Sequence, residues 1–152
     1  MTIMFDTCAL IALTNPGDAS HAIAEQCYRQ LRKGKHTLLV SVISAAEFGV
    51  KSDISTITPR LFRVLTYGIP HAVKTAQFAR VTSTAVQRQE PHDRQFIYAD
   101  TQILAQAEVE QVDFILTRDT RTFARTAAAL KKEKLLSTEV VNLDEAALRL
   151  LS

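Results

Sequence analysis

Short apolar runs alternate along the chain with longer segments in which apolar residues recur at helical spacing. We interpret the runs as strands, because continuous apolar stretches of this kind are typical of a parallel sheet that is buried on both faces. The predicted strands cover residues 2–5, 37–42, 113–117 and 139–143.

Helices are predicted between these strands. The clearest covers residues 21–33, where Ala22, Ile23, Cys27 and Leu31 share one side and Gly34 ends the segment. Further helices are expected in residues 9–13, after a cap at Ser44, in two parts of 59–87 that break at 68–70, in 96–109, in 121–134 and from Asp144. This alternation predicts an α/β fold whose central parallel sheet is covered by helices on both faces.

Composition narrows the class of protein. The 152 residues are 47% apolar and 22% charged, which is ordinary for a globular protein, and we expect one domain over residues 1–152. A net charge of +2 is too small to indicate nucleic-acid binding by itself. Two cysteines are too few for a disulfide framework. The N-terminus lacks the basic region of a signal peptide, and no apolar run approaches the ~20 residues of a membrane helix. We therefore expect a cytoplasmic protein with no membrane partner.

Four acidic residues lie at the ends of predicted strands or on predicted helices. Asp6 directly follows the first strand and interrupts an apolar stretch, and Asp119 follows the third strand by two residues. Both are expected at one edge of the sheet, where the carboxyl ends of parallel strands meet. Glu47 lies on the helix after the second strand, and Asp100 lies among apolar and small residues of a helix. Four acids from four segments are thus predicted to converge on one cleft.

Such a cluster of carboxylates predicts a divalent cation. Without one, the acids would repel each other and raise their own pKa values. Carboxylate oxygens suit Mg²⁺ and Mn²⁺. A metal of this kind lowers the pKa of a bound water and neutralises the charge that develops on a phosphate, so the pattern indicates metal-assisted hydrolysis of a phosphodiester. The number of metal ions stays open.

Each acid also has a structural interpretation. Asp6 and Asp119 are both placed to cap the helix that follows them. Glu47 falls at the capping-box position of a helix that begins at Ser44. For these three residues taken singly, both interpretations stay open. Asp100 is harder to explain by structure alone, because its helical neighbours are apolar or small. The set is more specific than any member, since all four acids fit one geometry.

Taken together, these segments resemble the motifs of PIN-domain nucleases. DTCALIAL (6–13) resembles the first motif of that family, and SAAE (44–47) resembles the second. ADTQILAQA (99–107) is similar to the third, an aspartate on a helix of small residues, and LTRD (116–119) with Phe123 is similar to the fourth. The motifs occur in the expected order, and the length suits a single-domain bacterial toxin of the VapC type.

The resemblance implies a PIN-like three-layer α/β/α sandwich, Mg²⁺- or Mn²⁺-dependent endoribonuclease activity through a metal-activated water, homodimerisation and inhibition by a cognate antitoxin. The residues to which it assigns both catalysis and metal binding are Asp6, Glu47, Asp100 and Asp119. It also implies that the hydroxyl groups of Thr7 and Thr117 orient a carboxylate or a metal-bound water.

Two features depart from the common pattern of the family. Cys8 stands where Ser or Asn is frequent, which alters the polarity beside the metal. The loop QEPHDR (89–94) contains Asp93, either a further acid near the site or a solvated loop charge.

RNA binding requires basic residues, because an acidic metal centre does not attract a polyanion unaided. Arg118 and Arg121, next to the fourth acid, are the predicted contacts with the RNA backbone, although either can be a solvated surface charge. Further cations near the site segments are Arg125, Arg94 and Lys51. With no tryptophan and three scattered tyrosines, the sequence offers no platform for reading bases. Which RNA is cleaved stays open.

Two other functions compete with the nuclease. A PIN-like domain that keeps its acids but acts as a protein-binding or assembly module, with weak or no nuclease activity, is the main alternative. A phosphotransferase that uses Asp6 as nucleophile is the other, but such enzymes normally carry a second acid two residues later, and here that residue is Cys8.

Overall fold

A five-stranded parallel sheet forms the centre of the molecule. The computed structural model describes residues 1–57, 61–84 and 94–149. The strands are β1 (Thr2–Phe5), β2 (Thr37–Ser41), β3 (Arg63–Leu65), β4 (Phe114–Thr117) and β5 (Glu139–Asn142). Their order across the sheet is β3-β2-β1-β4-β5, and every neighbouring pair is parallel.

Helices connect and cover these strands. They are α1 (Thr7–Thr14), α2 (His21–Lys33), α3 (Val42–Gly49), α4 (Ile69–Thr82), α5 (Arg94–Val109), α6 (Phe123–Lys132) and α7 (Leu143–Arg149), with a short 3₁₀ helix at Ile54–Thr56. No helix in the described part of the chain is both long and apolar enough to cross a membrane.

Alternation along the strands divides the core into two layers. Ile3 and Phe5 of β1 point to one side of the sheet, where they pack with residues of α1, α2 and α7. Met4 points to the other side, where it packs with residues of α4, α5 and α6. This arrangement follows from the two-residue period of a strand. It confirms the predicted three-layer α/β/α fold.

The strand order places the site. From β1 the chain moves outward through β2 to β3, and it then returns to the other side of β1 to form β4 and β5. The order therefore reverses between β1 and β4, and open parallel sheets bind ligands beyond the carboxyl ends of the strands at such a reversal. Asp6 follows β1 there, and its backbone N–H donates to the carbonyl of Leu116 in β4 at 3.1 Å.

One predicted helix is a strand. The sequence pattern indicated two helices in 59–87, but the first part contains β3, in which Val64 pairs with Val40 of β2. Leu65 is buried, whereas Arg63 and Val64 are exposed. A strand this short and half-exposed at the edge of the sheet lacks the continuous apolar run by which the inner strands were recognised. The second predicted helix is confirmed as α4.

The predicted cap of α3 is also wrong. β2 ends at Ser41, one residue earlier than predicted, and the Ser41 hydroxyl accepts the backbone N–H of Ile43 at 3.1 Å. Ser44 therefore lies inside the helix, where it is fully buried, and the capping box with Glu47 does not form. Of the predicted loop 89–94, only Arg94 lies within the described residues, and it begins α5. Asp93 lies outside them.

Candidate active site

The four predicted acids line one pocket beyond the carboxyl end of the sheet. Its volume is about 400 Å³, within the range of small-ligand sites. The acids come from the end of β1, from α3, from α5 and from the segment between β4 and α6. The lining residues are Asp6, Thr7, Cys8, Ile11, Glu47, Val50, Lys51, Phe96, Asp100, Ile103, Asp119, Arg121, Thr122 and Phe123.

Asp6 is both a helix cap and a pocket acid. Its Oδ1 accepts the backbone N–H of Ala9 at 2.7 Å, which caps α1, and its Oδ2 accepts the hydroxyl of Thr117 at 2.5 Å. Burial raises the pKa of Asp6 to about 7; the two hydrogen bonds oppose the rise, and the charges of Asp119 and Glu47 add to it. The two interpretations left open by the sequence are therefore compatible.

Thr117 links Asp6 to Asp119. Its hydroxyl donates to Asp6 Oδ2 and accepts the backbone N–H of Asp119 at 2.9 Å. Because a hydroxyl carries a single proton, the accepted hydrogen bond leaves that proton for Asp6. Thr117 is buried, so water does not compete for these contacts. This position suits a residue that orients a carboxylate.

Asp119 is the most fully hydrogen-bonded of the four acids. Its Oδ1 accepts the backbone N–H groups of Arg121 and Thr122, each at 2.8 Å, and its Oδ2 accepts the Thr122 hydroxyl. Burial works to raise the pKa of Asp119, but these hydrogen bonds outweigh it and hold the pKa below its usual range. Asp119 therefore carries its negative charge without a cation.

Asp100 has the opposite environment. Its Oδ2 is buried and receives no hydrogen bond from any described residue. Burial raises the pKa of Asp100 to about 8, and the charges of Asp119 and Asp6 add to the rise. The nearby Thr122 side chain opposes it, but the single proton of that hydroxyl is donated to Asp119. A buried carboxylate oxygen without a partner is costly. A cation in the pocket would remove that cost.

Glu47 lies at the exposed rim of the pocket. The helix α3 carries it toward the other acids, and its Oε2 accepts the hydroxyl of Thr7. Thr7 is the first residue of α1 and immediately follows Asp6. Thr7, which the resemblance identified as an orienting group, is therefore hydrogen-bonded to Glu47.

This set of residues suits a hard divalent cation, because all four offer carboxylate oxygens. In their present orientations, no three histidine, cysteine, aspartate or glutamate side chains of the described chain are close enough to hold one ion together. The hydrogen bonds explain this, since Asp6, Glu47 and Asp119 are turned toward threonine hydroxyls. The unpartnered oxygen of Asp100 and the mutual repulsion of the acids are the features that fit a cation.

The basic residues predicted to contact RNA differ in their surroundings. Arg121 lines the pocket with the acids, and so does Lys51. Arg118 instead donates from Nη1 to Asp18 Oδ1 at 2.5 Å. It borders a neighbouring depression whose other lining residues, Cys8, Ile11 and Asp119, also line the main pocket. Arg118 therefore has an acidic partner inside the protein, although it adjoins the fourth acid in sequence.

Cys8 remains a thiol at neutral pH. Burial raises the pKa of Cys8 to about 12, and the charges of Asp6 and Asp119 contribute to the rise. Since the thiolate is the reactive form of cysteine, Cys8 is an unsuitable nucleophile here. Its effect on the pocket is to supply a weakly polar wall.

Of the lining residues that sequence reasoning missed, Thr122 and Phe96 bear most directly on the acids. Thr122 donates to Asp119, and a threonine three residues after an aspartate at a helix start is a recognisable signal of such a local hydrogen bond. Phe96 lies four residues before Asp100, a spacing that places both on one face of α5. That signal was visible in the sequence, but no property of the sequence showed that this face bordered a pocket.

Comparison with known proteins agrees with this geometry. A model of the PIN domain family matches residues 3–129. A search among curated proteins gives no match. Among solved structures, the chain is similar to the crystal structure of VapBC2 from Rickettsia felis bound to a DNA fragment from their promoter. The TM-score is 0.60 with 16% sequence identity, over 93% of this chain and 98% of that chain, and at this identity the similarity is one of fold.

The family match contains all four acids of the pocket and the three threonines that hydrogen-bond to them, Thr7, Thr117 and Thr122. The chain belongs to the PIN domain family.

Proposed function

We propose that this protein is a metal-dependent endoribonuclease and the toxin of a toxin–antitoxin pair. The observation that carries the proposal is the pocket in which Asp6, Asp100 and Asp119 come together with Glu47 at the rim. These four residues would hold Mg²⁺ or Mn²⁺. When bound there, such a cation neutralises charge on the scissile phosphate and lowers the pKa of a neighbouring water.

The surrounding residues prepare the pocket for that chemistry. Thr117 fixes the carboxylate of Asp6, and Thr122 with two backbone N–H groups fixes that of Asp119. These hydrogen bonds keep the two carboxylates at the pocket, but a cation would still have to draw their oxygens toward one point, since no three acids of the described chain are close enough to hold one ion in their present orientations. Arg121 and Lys51 border the same pocket and supply positive charge for the phosphates of the strand.

The toxin assignment rests on resemblance. The four motifs resemble those of VapC-type toxins, and VapBC2 is among the solved structures to which the chain is similar. We propose by this analogy that a cognate antitoxin covers the site, that the protein forms a homodimer and that it acts in the cytoplasm. A partner that occupies the pocket must be removed before activity is measured.

The test is RNA cleavage by the purified chain. A pool of structured RNAs is incubated with Mg²⁺, Mn²⁺ or EDTA, in parallel with Asp100→Asn and the matched surface variant Asp144→Asn, because Asp144 is exposed and does not line the pocket. We expect discrete cleavage that requires metal, disappears in Asp100→Asn and persists in Asp144→Asn.

Two other outcomes overturn the proposal. Equal cleavage by the wild type and by Asp100→Asn would indicate a contaminating nuclease. Absence of cleavage by a folded protein that binds Mn²⁺ would favour the assembly module instead.

A further inference from the structure

An exposed aromatic ring shares the pocket with the four acids. Phe96 is 51% exposed and lines the pocket. It lies four residues before Asp100 on α5, so the two side chains occupy the same face of the helix about one turn apart. Whatever is bound at Asp100 is therefore presented next to the Phe96 ring.

This exposure needs an explanation beyond packing. The large side chains of the core in this region, such as Phe123 and Ile103, are buried to 2% exposure or less. Phe96 instead leaves about half of its surface open at a polar, acidic site. Val50, which is 78% exposed, lines the same pocket. Part of the pocket rim is therefore apolar and open to an aromatic ligand.

We infer that Phe96 is a stacking platform for a nucleobase next to the scissile phosphate. The inference rests on the proposed nuclease function, because that function brings a nucleotide chain to Asp100. Every base has an aromatic face, so stacking of this kind favours unpaired bases without strict sequence preference. A base inside a duplex has both faces covered and has to be unstacked before it can bind.

The two cations of the pocket favour RNA over an apolar protein segment as the occupant. Lys51 and Arg121 border it together with Phe96, so a ligand is offered cations for phosphates and a ring for a base within one site. Protein–single-strand interfaces combine these same two elements. An apolar peptide side chain would use the ring but not the cations.

Tyr98 provides a matched control. It is also aromatic, exposed (49%) and on α5, but two residues of helix rotate it away from the face of Phe96 and Asp100. It does not line the pocket. General effects of removing an exposed aromatic ring from α5 will therefore appear in Tyr98→Ala as well as in Phe96→Ala.

The first test measures binding without cleavage. In EDTA, fluorescence anisotropy gives the affinity for a ten-nucleotide RNA of unpaired mixed sequence and for a strand of the same length made of abasic nucleotides. We expect Phe96→Ala to weaken binding of the base-bearing strand by about 5- to 100-fold and to leave the abasic strand unchanged. Phe96→Trp should retain the affinity, and Tyr98→Ala should match the wild type.

The second test uses cleavage, with single abasic nucleotides placed on either side of the mapped cut. At the position whose base stacks on Phe96, an abasic nucleotide should slow cleavage by the wild type. It should have no further effect on cleavage by Phe96→Ala, since two changes that remove one contact are not additive. Additive effects at every position, or equal loss of affinity for both strands, would overturn the inference. The inference would also be overturned if Phe96→Ala bound RNA as the wild type does but no longer bound a protein partner.

These two tests separate the inference from the function on which it rests. If the wild type binds bases through Phe96 but cleaves no RNA, the nuclease proposal fails and the stacking platform stands. If the wild type cleaves RNA and Phe96→Ala cleaves it equally well, the nuclease stands and the platform fails.

Discussion

Asp100 and Asp119 line the same pocket, yet the protein treats their charges in opposite ways. Asp119 is surrounded by donors from the start of α6, which hold its pKa below the usual range. Asp100 projects from the middle of α5, has a buried oxygen without a donor among the described residues, and has a pKa raised to about 8.

The difference shows what each position can provide. A helix start offers free backbone N–H groups, and so a charge placed there is stabilised by the fold itself. The middle of a helix offers none, because its N–H groups are used in the helix. A carboxylate at that position is useful only if something outside the chain compensates it. The charge of Asp119 is therefore stabilised by the fold as well as available to the pocket. The charge of Asp100 is available to the pocket but lowers the stability of the fold.

The largest expected effects come from neutralising each acid in turn. Both Asp100→Asn and Asp119→Asn should lower metal-dependent RNA cleavage by at least about 100-fold, because even residues that only support metal ligands cost about 10- to 100-fold when changed. Single-turnover cleavage in excess Mg²⁺ measures this. If only one of the two variants lost activity, the acids would not act as one metal site.

The same two variants should move stability in opposite directions. At pH 8 without metal, Asp100→Asn removes a charge that burial disfavours, so its Tm should rise. Asp119→Asn keeps one oxygen to accept the backbone N–H groups but loses the charge and the acceptor for the Thr122 hydroxyl. The free energy of unfolding should therefore fall by about 0.5–1.5 kcal/mol, the net contribution of one hydrogen bond. Thermal unfolding in EDTA measures both. A fall in Tm for both variants would contradict the contrast.

The stability of the metal-free protein should also depend on pH. Asp6 and Asp100 have native pKa values raised to about 7 and 8 from 3.8, so the native state binds their protons more tightly than the unfolded state does. The stability that this provides is complete below pH ~3.8 and is lost as the pH rises through 7 and 8. We expect the Tm in EDTA to fall between pH 5 and pH 9, by about 2–4 °C per kcal/mol for a chain of this size.

Adding a divalent cation, or replacing Asp100, tests whether the acids of the pocket cause this change of Tm with pH. A saturating divalent cation should restore more stability at pH 8 than at pH 5, because it binds the ionised acids. Asp100→Asn should flatten the pH profile, whereas Asp144→Asn should leave it as in the wild type. The carboxyls with lowered pKa, such as Asp119, change stability only at more acidic pH and do not obscure this range. A Tm that rises from pH 5 to pH 9 in EDTA would refute the assignment of these shifts.

How far the sequence could predict this molecule depended on how much of each signal was local. The helix at His21–Lys33 was predicted to the residue because its period and its terminal glycine are local features. The inner strands were recognised from continuous apolar runs. β3 was not, because a three-residue edge strand with an exposed face carries no such run, and its pairing with β2 is a tertiary contact.

The same distinction holds for the candidate site. The four acids were identified from strand ends and motif spacing, and the fold brings them into one pocket. Only one side of their electrostatic difference was open to prediction. The donors around Asp119 lie two and three residues away in the chain, whereas the burial of Asp100 depends on how α5 packs against the rest of the chain. The partner of Arg118 was equally hidden, because Asp18 lies 100 residues away in the chain.

The smallest expected effects separate Arg118 from Arg121, which the sequence treated alike. Arg121 lines the pocket, so Arg121→Gln should weaken RNA binding and reduce the slope of log affinity against log salt by about 1. Arg118 is held by Asp18 at 2.5 Å, so Arg118→Gln should change that slope less and lower the Tm slightly instead. Binding titrations in EDTA from about 50 to 200 mM salt measure both slopes.

Asp18→Asn completes this comparison. Loss of the carboxylate releases the Arg118 guanidinium, which should then contribute to RNA binding and steepen the salt dependence relative to the wild type. In the Asp18→Asn background, Arg118→Gln should acquire the effect that it lacks in the wild type. If Arg118→Gln already lowers affinity as much as Arg121→Gln in the wild type, then Arg118 leaves Asp18 to bind RNA, and the ion pair is a resting position rather than a structural one.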